Sequence, residues 1–351
     1  MIRRMECGSL RNGPLAVGCE HCINGSKMVL LVTGKCGWNC FYCPVSLEKK
    51  GLDVVYANEG RVTSDDEVIA EAESMDATGT GITGGDPLVC MDRTLHYIRL
   101  LKDRFGPGHH IHLYTATIDP DKALALQEAG LDEIRFHPRP EDWSHMEGTK
   151  LAETVSRLRI DVGIEVPALP GAEKELDALV AYAVKVGVKF VNLNELEFSE
   201  SNWHMMDEHG FSVRDEVSAA VSGSAETALK VMRDNRKAPV HFCSSPFKDG
   251  VQLRRRLIRM AERSKTPYQQ VTEDGTLLHG LVYAKDTEKA KNELLAHGVP
   301  ESMMAVGDGK IEVAPWILEK IYGDLSYECY LSERYPTKDG LEVERTPLRK
   351  D

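Results

Sequence analysis

Three cysteines, Cys36, Cys40 and Cys43, stand three and two residues apart in the stretch GKCGWNCFYCP. Thiolates at this spacing can fold around one face of an iron–sulfur cluster. A [4Fe-4S] cube held by three protein ligands keeps one iron open for another molecule. Structural zinc instead closes its shell with four protein donors, so the alternative is a zinc knot in which Cys19 or Cys22 joins the three. Six of the nine cysteines fall within the first 43 residues. Clustered thiols in a chain of this size fit metal ligation better than a disulfide framework, which suits small secreted domains.

Further candidates are spread along the chain. The turn TGITGGDP places Gly84, Gly85 and Asp86 together; alone, this is a tight strand-to-helix turn. Arg135 and His137 end one apolar run, Glu165 another, and Asn192, Asn194 and Glu195 a third. Such polar residues either line an active face or satisfy loop backbone groups. His110 and His112 alternate with Tyr114 as sheet residues do. Cys19 and Cys22 have a spacing used by zinc and iron–sulfur sites, and Cys243 ends PVHFC. These three suggest an auxiliary metal site that His21, Cys7, His241 or Cys329 could complete; the alternative is inert buried thiols. Cys90 is expected to pack.

Regular elements must position these groups. MVLLVTG at 28–34 is short, apolar and ends at a Gly, as a buried strand does. Further strands are expected at 79–83, 110–115, 132–136, 161–166, 189–194 and 239–243. Helices are expected over 64–75, 92–104, 120–129, 149–159, 174–186 and 213–235. Strands alternating with helices indicate an α/β fold of parallel β/α units, open or closed as a barrel, with its active face at the C-terminal strand ends. Three regions follow: a cysteine-containing extension (1–27), a barrel (28–245), and a basic helix with a small α+β domain (246–351). In the last, a GDG turn signals a hairpin, and the terminal charged residues are expected to fray.

The balance of 43 Lys plus Arg against 55 Asp plus Glu gives a net charge of -12. A surface of that sign disfavours a non-specific polyanion scaffold. The N-terminal residues are basic but no apolar signal core follows, and MVLLVTG is too short to span a bilayer, so a cytoplasmic location is expected.

The C-x3-C-x2-C motif after the first strand, with Tyr42 before the last Cys, resembles the signature of the radical S-adenosylmethionine (SAM) superfamily. GPLAVGCEHC, KMVLLVTGKCGWNCFYCP, VVYANEG, LHYIRLLK, NLNELEFSESN and VTEDGTLLHG resemble an archaeal-type subgroup related to pyruvate formate-lyase activating enzymes. The resemblance implies a partial (β/α)6 TIM-like barrel and a [4Fe-4S] cluster on Cys36, Cys40 and Cys43. It also implies SAM bound at the open iron and cleaved to a 5'-deoxyadenosyl radical that abstracts hydrogen. Gly84, Gly85 and Asp86 correspond to a GGE-type motif, here with Asp for Glu, whose backbone contacts the SAM amino group. Arg135, Asn192, Asn194 and Glu195 become candidates for holding the SAM carboxylate and ribose. A low-potential donor such as ferredoxin or flavodoxin is implied. The substrate is not identified by the motifs; a protein or tRNA is expected, the basic helix 254–263 motivating the latter, with a small metabolite or a methyl transfer as alternatives. A non-catalytic iron–sulfur or zinc scaffold is the reading from a different class.

Overall fold

The computed structural model describes residues 1–349 except 216. The chain forms two units, residues 1–73 with 77–253, and residues 254–351 with 74–76.

In the first unit, β1 (Arg3–Arg4) and β2 (Leu10–Asn12) precede α1 (Val17–Ile23) and β3 (Lys27–Leu31). The hairpin β4 (Val55–Ala57) and β5 (Gly60–Val62) leads to α2 (Asp65–Ser74). Then come β6 (Gly79–Thr83), α3 (Met91–Phe105), β7 (His110–Thr115), α4 (Pro120–Glu128), β8 (Glu133–Phe136) and α5 (Leu151–Arg157). The series continues with β9 (Asp161–Pro167), α6 (Glu173–Val186), β10 (Phe190–Asn194), α7 (Trp203–Glu208), α8 (Ser224–Asp234) and β11 (Val240–Cys243). A single turn, α9 (Ser245–Phe247), closes the series and runs into a π-helical segment, Lys248–Leu253.

Seven of these strands are parallel, in the order β11-β10-β9-β8-β7-β6-β3. The result is the expected α/β partial barrel. It is left open: β2 pairs antiparallel with β11 at one edge and β4 with β3 at the other. All four residues of β8 are buried, as a central strand covered on both faces requires. Helix starts follow the local chemistry. Asp119 caps α4 by accepting from the Asp121 and Lys122 N–H groups at 3.0 and 3.1 Å, with Pro120 in the first turn. Gly187, at φ 85°, ends α6 in the left-handed conformation.

The second unit contains α10 (Arg254–Ser264), β12 (Gln270–Val271), β13 (Leu277–Tyr283), α11 (Thr287–Ala296), β14 (Met304–Gly307) and β15 (Lys310–Val313). It ends with α12 (Pro315–Ile321), β16 (Glu328–Arg334) and β17 (Glu342–Leu348). Its antiparallel sheet runs β14-β15-β13-β16-β17, with β12 on β13, over a core including Val282, Ile311, Leu318 and Cys329.

Two expectations are corrected. The helix expected over 213–235 begins only at Ser224, because Gly223 sits at φ 85° and the preceding segment makes bridges Val213↔Val221 and Glu197↔Ala220. The terminal residues expected to fray instead form β17, which pairs with β16; 350 and 351 lie outside the described residues. No helix among the described residues is long and apolar enough to cross a membrane.

Candidate functional site

The cysteine loop leaves β3 at its C-terminal end and is closed on itself. The Gly34 N–H donates to Leu52 O and the Gly51 N–H to Gly34 O, both at 2.8 Å. Only glycine fits at 34, since a Cβ there would lie 1.6 Å from the Lys49 carbonyl oxygen. Cys36 is exposed and Cys40 and Cys43 are half-buried. Burial pushes the Cys36 and Cys40 thiols up, the Trp38 N–H partly offsetting this at Cys36. The three thiols are electrostatic neighbours on one loop.

Two segments clamp that loop. Asn202, 1 % exposed, donates to the Tyr42 carbonyl at 3.0 Å, and Ser201 Oγ donates to the Cys43 carbonyl at 3.2 Å. Tyr42 Oη lies 3.0 Å from His137 Nε2, while His137 Nδ1 lies 2.7 Å from the Glu165 carbonyl oxygen. A carbonyl only accepts, so Nδ1 carries the proton and Nε2 accepts from Tyr42. Burial lowers the His137 pKa, which keeps the ring neutral for that role. Asn202 and Ser201 carried no spacing signal of their own; only the stretch NLNELEFSESN pointed to them.

The Gly84–Asp86 turn lies against the start of the same loop. The Gly85 N–H donates to Thr33 O at 2.8 Å and the Asp86 N–H to Lys35 O at 2.9 Å. The Asp86 carboxylate is fully engaged: it accepts from the Leu88 N–H at 3.0 Å, Thr115 Oγ1 at 2.7 Å and Thr117 Oγ1 at 2.8 Å. It ties this turn to the end of β7.

Arg135, Asn192 and Asn194 converge on Glu165. Arg135 Nη1 and Asn192 Nδ2 reach one carboxylate oxygen at 2.7 and 2.9 Å, and Asn194 Nδ2 the other at 3.0 Å. Arg135 also holds Glu133, Nε to Oε1, at 2.5 Å. Burial would raise the Glu165 pKa, but Arg135 and the two Asn donors outweigh it and hold it at about 2. Glu195 lies apart from this group. It accepts from Arg214 Nη1 at 2.6 Å and the Ser245 N–H at 2.7 Å. The charged groups of Asp86, Arg135 and Glu195 are thus each engaged by partners within the protein.

The depressed Glu165 pKa makes a prediction. Because the folded value lies below the unfolded one of about 4.3, the ion pair stabilises the fold fully above that pH, by about 3 kcal/mol. The contribution is lost as pH falls toward about 2. Glu165→Gln is expected to lower the denaturation midpoint at pH 6, with the gap to the unsubstituted protein closing as pH falls to 3. A pH-independent gap would show that the charge is not responsible.

Helix α1 carries Cys19 and Cys22, and Gln252 bridges Cys22 Sγ and Cys243 Sγ at 2.9 and 3.5 Å. Burial pushes the Cys243 thiol up to about 12 and raises Cys19. Of the other residues expected to complete a second site, His21 lies 2.8 Å from Thr78 Oγ1, Cys7 is exposed, and Cys329 is in the core of the second unit. Cys90 is half-buried beside Thr94.

Residues 30–138 match the model of the radical SAM superfamily, and residues 275–348 match a domain of unknown function, DUF8061. A curated protein of Methanocaldococcus jannaschii, provisionally named a glycyl-radical enzyme activating enzyme, is 40 % identical over 353 residues, covering 95 % of this chain and 93 % of the relative. Among solved structures, Streptococcus suis SuiB bound to SAM has a TM-score of 0.41 and 12 % identity, over 62 % of this chain and 50 % of that one. The hydrogenase maturase HydG of Carboxydothermus hydrogenoformans has a TM-score of 0.40 and 17 % identity, over 61 % and 52 %. The chain thus spans about half the length of these two solved proteins. With its cysteine loop and Gly-Gly turn joined at the open end of a β/α barrel, and with a relative matching almost end to end, the chain belongs to the radical SAM superfamily.

Proposed function

We propose that this radical SAM enzyme activates a glycyl-radical protein. The supporting observation is the match to the named activating enzyme across 95 % of the chain, the accessory unit included. When bound, the cluster supplies the electron that splits SAM into methionine and a 5'-deoxyadenosyl radical. Cys36, Cys40 and Cys43 would hold it: they are neighbouring thiols on one clamped loop, with Cys36 exposed. Gly84 and Gly85 would let the turn that faces SAM pack directly on the Thr33–Lys35 backbone, where a Cβ would collide with carbonyl oxygens. Arg135, Asn192 and Asn194 at Glu165, together with Asp86 and Glu195, would hold the turn and the strand ends in place around the bound SAM. Cys19, Cys22 and Cys243 would hold a second metal.

The chain's part is positioning and exclusion of water from a reactive radical. A cytoplasmic location and a ferredoxin- or flavodoxin-type donor fit this chemistry, and the C-terminal unit would recognise the protein substrate. A tRNA substrate is less well supported, because the basic helix is internally engaged. Arg254 donates to the Glu273 carbonyl at 3.1 Å, Arg259 to Met75 O at 3.1 Å, and Arg256 is buried.

The test uses anaerobically reconstituted enzyme with SAM, a reductant and a glycyl-radical protein from the same organism. A glycyl radical signal in electron paramagnetic resonance, with 5'-deoxyadenosine formed in step, is expected. Abundant 5'-deoxyadenosine without any protein radical would move the reading to a small-metabolite or methyl-transfer reaction. An intact reduced cluster without SAM cleavage would leave the scaffold reading.

A further inference from the structure

Outside the Cys36–Cys43 loop, three thiols and an imidazole are carried toward one another by α1 and β11. Cys19 and Cys22 lie three residues apart on α1, hence on one helix face with Cβ atoms about 5–6 Å apart. His241 and Cys243 lie two apart on β11, hence on one side of the strand. The two pairs are linked through Gln252, which accepts from Cys22 Sγ at 2.9 Å and donates to Cys243 Sγ at 3.5 Å. Cys19 Sγ lies 3.3 Å from Asn192 Nδ2, and Asn192 is the ladder partner of His241. His241 is 5 % exposed, yet neither ring nitrogen has a hydrogen-bond partner. A buried imidazole with both nitrogens unpaired is unusual enough to require a cause.

The geometry points to a closed zinc site with Cys19, Cys22, His241 and Cys243 as its four ligands. This rests on the reading above that the three thiols hold a second metal, and adds its identity, its fourth donor and its task. Four protein donors, one of them an imidazole, suit structural zinc, whereas iron–sulfur clusters take four thiolates in the ordinary case. Four protein donors fill a tetrahedral shell and leave no position for a reacting water, and Cys19, Cys243 and His241 are below one-tenth exposed while Cys22 is half-buried. Among the described residues no three His, Cys, Asp or Glu side chains already stand at metal-holding separations, either here or at Cys36, Cys40 and Cys43. Binding therefore draws the thiols inward to about 2.3 Å from the ion and moves Gln252 aside. The ion pairs the imidazole and clasps α1 to β11, fixing a helix whose Gly18 packs on Arg135 and His112.

The test uses the full chain with Cys36, Cys40 and Cys43 all replaced by Ala, which removes the proposed radical-cluster ligands. Elemental analysis is expected to find one zinc per chain. Adding His241→Ala and Cys243→Ser is expected to abolish it. Cobalt exchanged into the triple variant is expected to give thiolate-to-cobalt charge transfer and the strong visible bands of a tetrahedral ion, which keeps the assignment testable if the further substitutions unfold the protein. A folded triple variant without zinc overturns the site, as does one that retains iron and sulfide in place of zinc. Failure of the unsubstituted enzyme to cleave SAM would sink the radical reading and leave the zinc result standing.

Discussion

Replacing Cys40 by alanine is expected to reduce 5'-deoxyadenosine formation to the level of a protein-free control while the folded structure survives. Cys40 has no part in the barrel core. It lies half-buried in the loop after β3, and backbone bonds at Gly34 and Gly51 close that loop without it. Its loss leaves Cys36 and Cys43, too few ligands for a cluster that needs three protein thiolates to keep one iron open. Iron and sulfide should fall together with activity in anaerobically reconstituted protein, and the circular dichroism spectrum should not change. SAM cleavage at the unsubstituted rate in the Cys40→Ala protein would remove Cys40 from the ligand set. Cys90→Ala is the comparison. That thiol is also half-buried, but it sits at the start of α3 beside Thr94, and its replacement should leave iron content unchanged.

The cysteine loop was legible because its chemistry is local: three thiols within eight residues need no knowledge of the fold. The parallel strands were legible for a related reason, since apolar runs at 79–83, 110–115 and 161–167 each carry their own period and end signals. What escaped depends on pairing at a distance. β2 is three residues long and exists only because β11 offers an edge. β17, EVERTPL and mostly exposed, carries no alternation that distinguishes it from a tail, and β16 supplies its partner. The surroundings of the candidate polar residues also depend on distant partners. Arg135 and Glu195 stand where a ligand-binding residue could stand, and only the positions of Glu133, Glu165 and Arg214 show that their charges are met internally. Asn202 escaped because its task is to hold a backbone carbonyl 160 residues away, and no local pattern encodes that.

Gly85→Ala is expected to cost about a hundredfold in SAM cleavage, because it displaces the platform on which the cysteine loop begins. A Cβ at 85 would lie 2.3 Å from the Lys35 carbonyl oxygen and 2.7 Å from that of Gly34. Both are backbone atoms, so no side chain can swing aside to relieve the contact. The Gly85 and Asp86 N–H groups are bound to Thr33 and Lys35, and Thr115 and Thr117 hold Asp86 from behind. The turn therefore cannot retreat without breaking bonds, and the strain passes into the segment leading directly to Cys36. Overpacking of this kind costs about 1–3 kcal/mol, too little to unfold the barrel and enough to shift a loop. Gly37→Ala is the control within the same loop, since a Cβ there meets nothing within 4 Å. Iron content and 5'-deoxyadenosine rates measured side by side should show Gly37→Ala near the unsubstituted enzyme and Gly85→Ala far below it. Equal impairment would mean that the loop tolerates no added carbon anywhere, and the contact between the turn and the Thr33–Lys35 backbone would lose its special standing.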